Sequence, residues 1–283
     1  GGIGKDWAMG YANTLSKFAF DLTESVSRQQ TPIHLIGRKK ETDEMEKTLI
    51  RTNKHNVLLV GEPGTGKSTI VKNLARNVLF GQTYPAIANK QIMELNIDFL
   101  LAGATSSGDI VARLNGVLND AVRAGNIVLF IRNVHALFSG GAKVGAVDAS
   151  DVMIPYLENP QLYFIATTST SDFHQFIEPK SGLVNKFEKI DVDEPTKDET
   201  IRIIEDILFW IEPTQKVSVS YNAIQKIVDL AERFIYDKFF PEKAIDLLNE
   251  LIVMVKTEGR NQILPKDVER LVSSKVNVPI GEG

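Results

Sequence analysis

The segment GEPGTGKS at residues 61–68 constrains the fold of this chain more than any other. It matches the pattern G-x-x-x-x-G-K-[ST], whose glycines let backbone N–H groups turn inward around phosphate oxygens. The apolar run NVLLV (56–60) precedes it, and a segment with helical periodicity, KSTIVKNLARNVL (67–79), follows it. A strand, a glycine-rich loop and a helix in this order predict a phosphate-binding loop with the helix N-terminus facing the anion. A plain glycine turn is the structural alternative.

The side chains of this loop have separate expected roles in holding a nucleotide. Lys67 is expected to reach the β- and γ-phosphates as a point charge, and Ser68 to ligate Mg²⁺. ATP or ADP is therefore the expected cofactor. The residues predicted to bind it here are Gly61, Glu62, Pro63, Gly64, Thr65, Gly66, Lys67, Ser68 and Thr69.

Alternation of strand-like and helical segments predicts an α/β fold with a parallel sheet. Further buried strands are predicted in QIMELNI (91–97), NIVLFI (126–131) and LYFIATT (162–168), with a helix C-cap at Gly125. Beyond residue 193 only helical periodicity remains, which predicts a smaller all-helical domain. The expected organisation is an N-terminal segment over 1–30, an α/β domain over 31–193 and a helical domain over 194–283.

The strand NIVLFI ends where an ATPase of this type normally carries two carboxylates. One carboxylate holds the Mg²⁺ shell and the other orients the attacking water. Here these positions are Arg132 and Asn133. An asparagine cannot accept the proton of water, and Arg132 brings a fixed positive charge that either pairs with the phosphates or repels Mg²⁺. Both outcomes oppose fast turnover and predict a weakened metal site at Ser68.

Composition excludes several classes of function. The net charge of −4 argues against a nucleic-acid partner, since phosphate backbones are bound by dense Lys/Arg surfaces. No cysteines are present, so disulfides and cysteine zinc sites are excluded, and a cytoplasmic location is expected. No apolar run approaches the roughly 20 residues that span a bilayer. The four histidines (His34, His55, His135 and His174) lack metal-ligand spacing.

Many separate segments, in the same order, resemble the first ATPase module of the Clp family of AAA+ unfoldases. They are DLTESV (21–26), PIHLIGRKKE (32–41), GEPGTGKSTIV (61–71), GGAKVGAVDASDVMIPYL (140–157), FFPEKAIDLLNE (239–250) and DVERLVSSKVNVPIGE (267–282). The resemblance implies a wedge-shaped α/β domain, a helical lid, adenine between them and a hexameric ring. By the same resemblance, Leu35, Ile36, Gly37, Ile203, Pro241 and Ala244 surround the adenine, and Thr167 and Thr168 occupy the sensor position.

The departures from the family pattern fall in three places. The Walker B carboxylates are replaced by Arg132 and Asn133, and the arginine-finger positions by Asn185 and Lys186. The pore-loop aromatic is replaced by Ser106, which offers little apolar grip on a substrate. Nucleotide binding is thus expected to be retained, whereas metal positioning, activation of the neighbouring subunit and substrate grip are expected to be lost.

Three hypotheses follow for the function. The leading one is a hydrolysis-deficient AAA+ module in which nucleotide serves ring assembly or regulation. Its expected partners are further copies or a second AAA+ module, with client proteins or a protease, and the chain is expected to be part of a larger two-ring protein. The second is a slow but genuine ATPase that recruits Glu62, Asp148 or Asp151. The third is an interaction module without nucleotide, in which Arg132 fills the phosphate site.

Overall fold

The computed structural model describes residues 13–28, 38–140 and 147–281 of the chain. The described residues form two compact units. Those within Gly1–Gln30, Lys40–Gly61 and Ile70–Asp191 form the sheet unit, and those within Thr31–Lys39, Glu62–Thr69 and Val192–Gly283 form the helical unit. The phosphate loop therefore shares a compact unit with the C-terminal helices.

The sheet unit is built on a six-stranded sheet. Its strands are β1 (Ala19–Asp21), β2 (Asn56–Val60), β3 (Gln91–Leu95), β4 (Ile127–Ile131), β5 (Tyr163–Thr168) and β6 (Phe187–Asp191). They lie in the order β1-β3-β4-β5-β2-β6. Every residue of β2 and β4 is buried, as in parallel strands covered on both faces. The predicted parallel sheet is confirmed for β2 to β6, whereas the edge strand β1 runs antiparallel to β3.

Helices and turns connect and cover these strands. They are α1 (Asn13–Phe18), α2 (Leu22–Ser27), α3 (Lys39–Leu49), α4 (Lys67–Leu79), α5 (Pro85–Ala88), α6 (Ile97–Leu101), α7 (Ser107–Ala124), α8 (Ser150–Leu157), α9 (Thr170–Asp172) and α10 (Ser181–Val184), with a 3₁₀ turn over Val134–Leu137 and a π turn over Phe173–Ile177. Helix α7 ends at Gly125, whose φ of 74° confirms the predicted C-cap. It begins at Ser106, whose hydroxyl accepts the N–H of Asp109. The residue at the predicted pore-loop position thus caps a helix.

Asn56 joins three parts of the sheet unit from a fully buried position. Its Nδ2 donates to the carbonyl oxygens of Leu157 at 2.7 Å and of Lys186 at 3.3 Å, and its Oδ1 accepts the N–H of Phe164 at 3.1 Å. An alanine here would remove the side-chain partner of two buried backbone groups and of the partly buried carbonyl oxygen of Lys186.

We expect Asn56→Ala to lower the free energy of unfolding by roughly 2–4 kcal/mol, because each abandoned buried group carries its own desolvation cost. Urea unfolding followed by circular dichroism measures this change. Asn53→Ala, at an exposed position three residues earlier, is the control and should change stability by less than about 0.5 kcal/mol. Equal losses in the two variants would contradict the role given to Asn56.

The described residues of the helical unit form four helices, in agreement with the predicted helical periodicity. They are α11 (Lys197–Gln215), α12 (Tyr221–Phe234), α13 (Glu242–Thr257) and α14 (Pro265–Val276). Helix α11 begins with a capping box formed by Thr196 and Glu199. Two short parallel strands, β7 (Ser218–Val219) and β8 (Gln262–Ile263), accompany the helices. They were not expected, because two residues are too few to show strand periodicity.

Candidate functional site

The phosphate loop is held in shape by its own hydrogen bonds. The hydroxyl of Thr65 donates to the carbonyl oxygen of Glu62 at 2.8 Å, and Nζ of Lys67 donates to the same oxygen at 2.9 Å. Gly64 and Gly66 have φ angles of +82° and +105°, which L side chains rarely adopt. The loop leads directly into the first turn of α4, where Ser68 and Thr69 lie. These features give the loop the form needed to receive an anion at a helix N-terminus.

Arg38 supports this loop from within the helical unit. Its side chain is buried, with the residue only 4% exposed, and Nη2 donates to the carbonyl oxygen of Thr65 at 2.8 Å. The same nitrogen donates to the carbonyl oxygen of Asp193. A buried guanidinium therefore ties the loop to the chain segment that precedes α11. Sequence reasoning did not single out Arg38, although it lies inside the family-like segment PIHLIGRKKE.

Replacing Arg38 with Ala should loosen the loop, because the Thr65 carbonyl loses its charged donor. We expect the free energy of unfolding to fall by about 2–3 kcal/mol and the affinity for ADP to fall about tenfold. Thermal unfolding and calorimetric titration measure the two effects. Lys39→Ala removes one exposed positive charge at the next residue and should change neither. Wild-type affinity in Arg38→Ala would show that the loop does not depend on this support.

Lys67 is the cation of the loop, and its protonation is set by opposing influences. Partial burial lowers the pKa of its ammonium group below the ordinary value, while the charges of Glu62 and Glu242 act in the opposite direction. A bound phosphate would add a further negative charge beside the ammonium. Lys67 is thus placed to gain electrostatically from an anionic ligand.

In the sheet unit, parallel strands bring the remaining predicted site residues to one edge. Strands β4, β5 and β2 are neighbours in the sheet, and their carboxyl ends meet on the same side. Arg132 and Asn133 follow β4, and Thr167 and Thr168 end β5. The N–H of Gly61, which follows β2, donates to the carbonyl oxygen of Thr168 at 3.2 Å. The start of the phosphate loop therefore lies beside the sensor position.

Arg132 is paired with a carboxylate from the neighbouring strand. Its Nε and Nη2 lie 3.0 Å and 2.9 Å from Oε1 of Glu94 on β3. The Glu94 side chain is only 9% exposed, whereas that of Arg132 is 42% exposed. The positive charge at the predicted Walker B position is thus offset within the sheet unit. Sequence analysis did not single out Glu94. The available signal was an isolated charged residue inside the apolar segment QIMEL.

Asn133 stands on a left-handed turn directly after β4, with φ 54° and ψ 50°. Asparagine adopts this conformation more readily than most residues. Its backbone N–H donates to the hydroxyl of Thr167 at 3.1 Å. The turn at the predicted Walker B position is therefore joined to β5 by a bond from its backbone to the Thr167 side chain.

His135 makes a second connection between these two segments. Its Nδ1 lies 3.2 Å from the hydroxyl of Thr168, and its Nε2 lies 3.4 Å from Oδ2 of Asp172. Burial lowers the pKa of His135, and the nearby charge of Asp172 partly counters this. A neutral imidazole that donates a hydrogen bond from Nε2 to Asp172 would accept a hydrogen bond from the Thr168 hydroxyl at Nδ1. Both sensor hydroxyls are therefore bonded to the segment that follows β4.

Sequence comparisons match this arrangement to known proteins. Residues 57–192 match the profile described as "ATPase family associated with various cellular activities (AAA)", and residues 196–278 match the profile of the AAA lid domain. The chain belongs to the AAA family. Within it, the chain is a Clp-family AAA+ module.

Named relatives come from bacteria and yeast. The negative regulator of genetic competence ClpC/MecB of Bacillus subtilis is 35% identical over 84% of this chain and 29% of its own length. The chaperone protein ClpB of Oceanobacillus iheyensis is 35% identical over 91% of this chain and 32% of its own. The structure titled S. cerevisiae Hsp104-ADP complex is 28% identical with a TM-score of 0.83, over 94% of this chain and 46% of that one. The chain thus spans about a third of its curated relatives.

The finger-position residues of this AAA module have structural contacts of their own. Asn185 follows α10 as its C-cap, and its backbone N–H donates to the carbonyl oxygen of Ser181 at 3.2 Å. Nζ of Lys186 pairs with Oε1 of Glu158 at 2.6 Å. The Lys186 side chain is thus held in an ion pair, whereas the contact of Asn185 involves only its backbone.

The predicted adenine residues are only partly described. Ile203, Pro241 and Ala244 are buried in the helical unit. Leu35, Ile36 and Gly37 lie outside the described residues, so their predicted role stays a prediction.

The acidic residues considered as substitutes for the Walker B pair differ in their contacts and exposure. Asp148 contacts Lys180 and Ser150; burial raises its pKa, but these hydrogen bonds outweigh burial and lower it. Asp151 is exposed in the first turn of α8.

Within residues 13–28, 38–140 and 147–281, no cluster of three or more His, Asp or Glu side chains could hold a metal ion. In the same ranges, no helix is both long and apolar enough to cross a membrane.

Proposed function

We propose that this Clp-like AAA+ module binds ATP or ADP at its phosphate loop and hydrolyses ATP very slowly or not at all. The observation that carries the proposal is a contrast between two parts of the site. The loop from Gly61 to Ser68 is preorganised, with Arg38 supporting it and the Lys67 ammonium group held on the carbonyl oxygen of Glu62. The position that should hold the metal carries Arg132, already paired with Glu94.

Slow turnover follows from the chemistry that these residues cannot supply. Hydrolysis needs a carboxylate in the metal shell and a group that orients the attacking water. The guanidinium of Arg132 has no lone pair with which to ligate a cation, and Asn133 cannot take a proton from water. With Ser68 as the one loop side chain left for the metal, Mg²⁺ is expected to bind weakly. Asn185 and Lys186 in turn lack the bidentate fork with which an arginine finger stabilises transition-state charge.

The biological role proposed for the nucleotide is structural or regulatory. A ligand that binds only the folded form stabilises that form by mass action. We propose that the sheet domain over 31–193 and the lid over 194–283 assemble with copies of the chain or with a second AAA+ module. Solved relatives include Hsp104 bound to casein, and relatives from Staphylococcus are named ATP-binding subunits of the Clp protease. Client proteins or a protease, in the cytoplasm, are therefore proposed partners.

The two rival hypotheses receive less support. A slow ATPase that uses Asp148 must first break its contact with Lys180, while Glu62 already acts on the charge of Lys67. A module whose phosphate site is filled by Arg132 must first separate that side chain from Glu94.

We expect nucleotide binding to be nearly independent of Mg²⁺. Calorimetric titration should give a Kd for ADP of about 10 µM or tighter, with less than about a threefold difference between EDTA and excess Mg²⁺. The reason is that no Walker B carboxylate remains to fix the metal shell. The Bacillus subtilis ClpC relative, titrated in parallel, serves as the reference. Strict dependence on Mg²⁺ would contradict the weak metal site, and absence of binding would contradict the proposed function.

A further inference from the structure

Glu194 holds the backbone that leads into helix α13. It lies between β6 and α11, in the acid-rich segment DVDEPTKDE (191–199). Its Oε1 accepts the N–H of Phe240 at 2.7 Å. That N–H precedes α13 by two residues, so the helix itself cannot supply its acceptor. Because Phe240 is also buried in the core of the helical unit, a charge-assisted hydrogen bond and apolar packing together fix the entry to α13.

The first turn of α13 contacts the phosphate loop through the backbone. The N–H of Glu242, the first residue of the helix, donates to the carbonyl oxygen of Gly64 at 3.3 Å. The two backbones approach closely, because a Cβ atom built on Gly64 would lie 2.9 Å from the Cβ of Glu242. The position of the start of α13 therefore decides whether this hydrogen bond forms.

The segment that carries Glu194 also reaches the next carbonyl group of the loop. Nη2 of Arg38 donates both to the carbonyl oxygen of Asp193 and to that of Thr65, the second at 2.8 Å. The consecutive carbonyl oxygens of Gly64 and Thr65 are therefore each bound by a donor that this segment fixes. One connection passes through Arg38, and the other passes through the start of α13. Glu194 holds the second connection.

We infer that Glu194 is a positioning residue for the nucleotide, acting on the phosphate loop through the start of α13. The inference rests on the proposed nucleotide binding and names the contact by which an occupied loop orders this helix. A nucleotide that fixes the loop keeps the Gly64 carbonyl in place, so the hydrogen bond from the Glu242 N–H opens less often. Without the Glu194 carboxylate, the start of α13 leaves the loop part of the time. The fraction of chains in the binding form then falls, and the apparent affinity falls with it.

The test measures ADP affinity and backbone exchange on the whole chain in EDTA. Calorimetric titration gives the Kd, and hydrogen exchange with and without saturating ADP gives the protection of the amides at residues 242–246. In the wild type, ADP should slow the exchange of these amides at least about threefold. Glu194→Ala, shown to be folded by thermal unfolding, should bind ADP about fivefold more weakly and lose the added protection.

Two further variants separate the hydrogen bond from the charge of this segment. Glu194→Gln keeps an oxygen that can accept the Phe240 N–H, so ADP should bind within about twofold of wild type and protect the same amides. Asp198→Ala removes an exposed carboxylate from the first turn of α11, in the same acid-rich segment, and should behave as wild type. A purely structural role for Glu194 would lower stability in Glu194→Ala without changing the protection that ADP adds.

The results that would overturn the inference are distinct from a failure of the proposed function. Wild-type affinity or full ADP-dependent protection in Glu194→Ala would overturn the inference and leave nucleotide binding intact. Equal losses in Glu194→Ala and Asp198→Ala, or in Glu194→Ala and Glu194→Gln, would show an effect of charge rather than of the hydrogen bond and would also overturn it. If the wild-type protein bound no ADP, the proposed function would fail together with the inference.

Discussion

Replacing Lys67 with Met should reduce the affinity for both ADP and ATP by about 100-fold. The ammonium group is the cation that the loop offers to phosphate, and it is held in place by the carbonyl oxygen of Glu62 at 2.9 Å. Charge-assisted hydrogen bonds to a phosphate contribute about 3 kcal/mol, which corresponds to this factor. Methionine keeps most of the side-chain volume, so the fold should persist.

The measurement is calorimetric titration with each nucleotide in EDTA, after thermal unfolding has shown that the variant is folded. Lys72→Met is the matched control, because it removes the same charge from the same helix, α4. We expect it to bind nucleotide within about twofold of wild type. If Lys67→Met binds as well as Lys72→Met, the nucleotide is held elsewhere or through the backbone alone.

Restoring the two carboxylates of the family pattern should not restore fast ATP hydrolysis. In the variant that combines Arg132→Asp with Asn133→Glu, we expect ATP turnover to remain at least about 1000-fold below the roughly 10 s⁻¹ of a typical enzyme. The reason is that the predicted finger positions would still carry Asn185 and Lys186. An arginine finger contributes a factor of about 1000 or more to turnover. Phosphate release with Mg²⁺ and saturating ATP measures the rate.

The same variant should also be less stable, for a reason that the sequence did not reveal. Arg132→Asp removes the partner of Glu94 and places a second carboxylate beside it. We expect a loss of about 1–2 kcal/mol in the free energy of unfolding, reduced by the solvent that reaches residue 132. Adding Glu94→Gln should recover most of the loss.

Two results would contradict this view of the Walker B position. Turnover of about 10 s⁻¹ in the double variant would show that the finger positions are not needed, and that only the carboxylates are missing. Unchanged stability, with no benefit from Glu94→Gln, would show that the Arg132–Glu94 pair does not offset the charge. The two measurements are independent, since one reads catalysis and the other reads the fold.

Sequence patterns predicted the parts of the structure that depend on local periodicity. Helix α4 and strand β2 begin and end at the predicted residues, because caps, glycines and apolar spacing are local signals. Strand β1 escaped prediction, because its three residues carry no period and its pairing with β3 is a long-range contact. Strands β7 and β8 escaped for the same reason.

The candidate site shows the same division between motifs and contacts. The phosphate loop was predicted from its motif, since backbone geometry at glycines is encoded in the residues themselves. The partners of the site were not predicted. Glu94 meets Arg132 because of the register between β3 and β4, and Arg38 and Glu242 reach the loop from distant segments. Such contacts follow from tertiary packing, which single-sequence patterns do not report.

We propose that the phosphate loop of this chain still binds nucleotide, whereas its catalytic positions support little or no hydrolysis. The most direct test is to load the purified chain with ATP and Mg²⁺, and then to identify the bound nucleotide and count released phosphate over one hour. We expect most of the bound ATP to be recovered intact, with release slower than about 10⁻⁴ s⁻¹, which is less than one phosphate per chain in an hour and about 100,000-fold below typical turnover. Bound ADP together with phosphate release near 10 s⁻¹, or a chain that retains no nucleotide under saturating ligand, would contradict the claim.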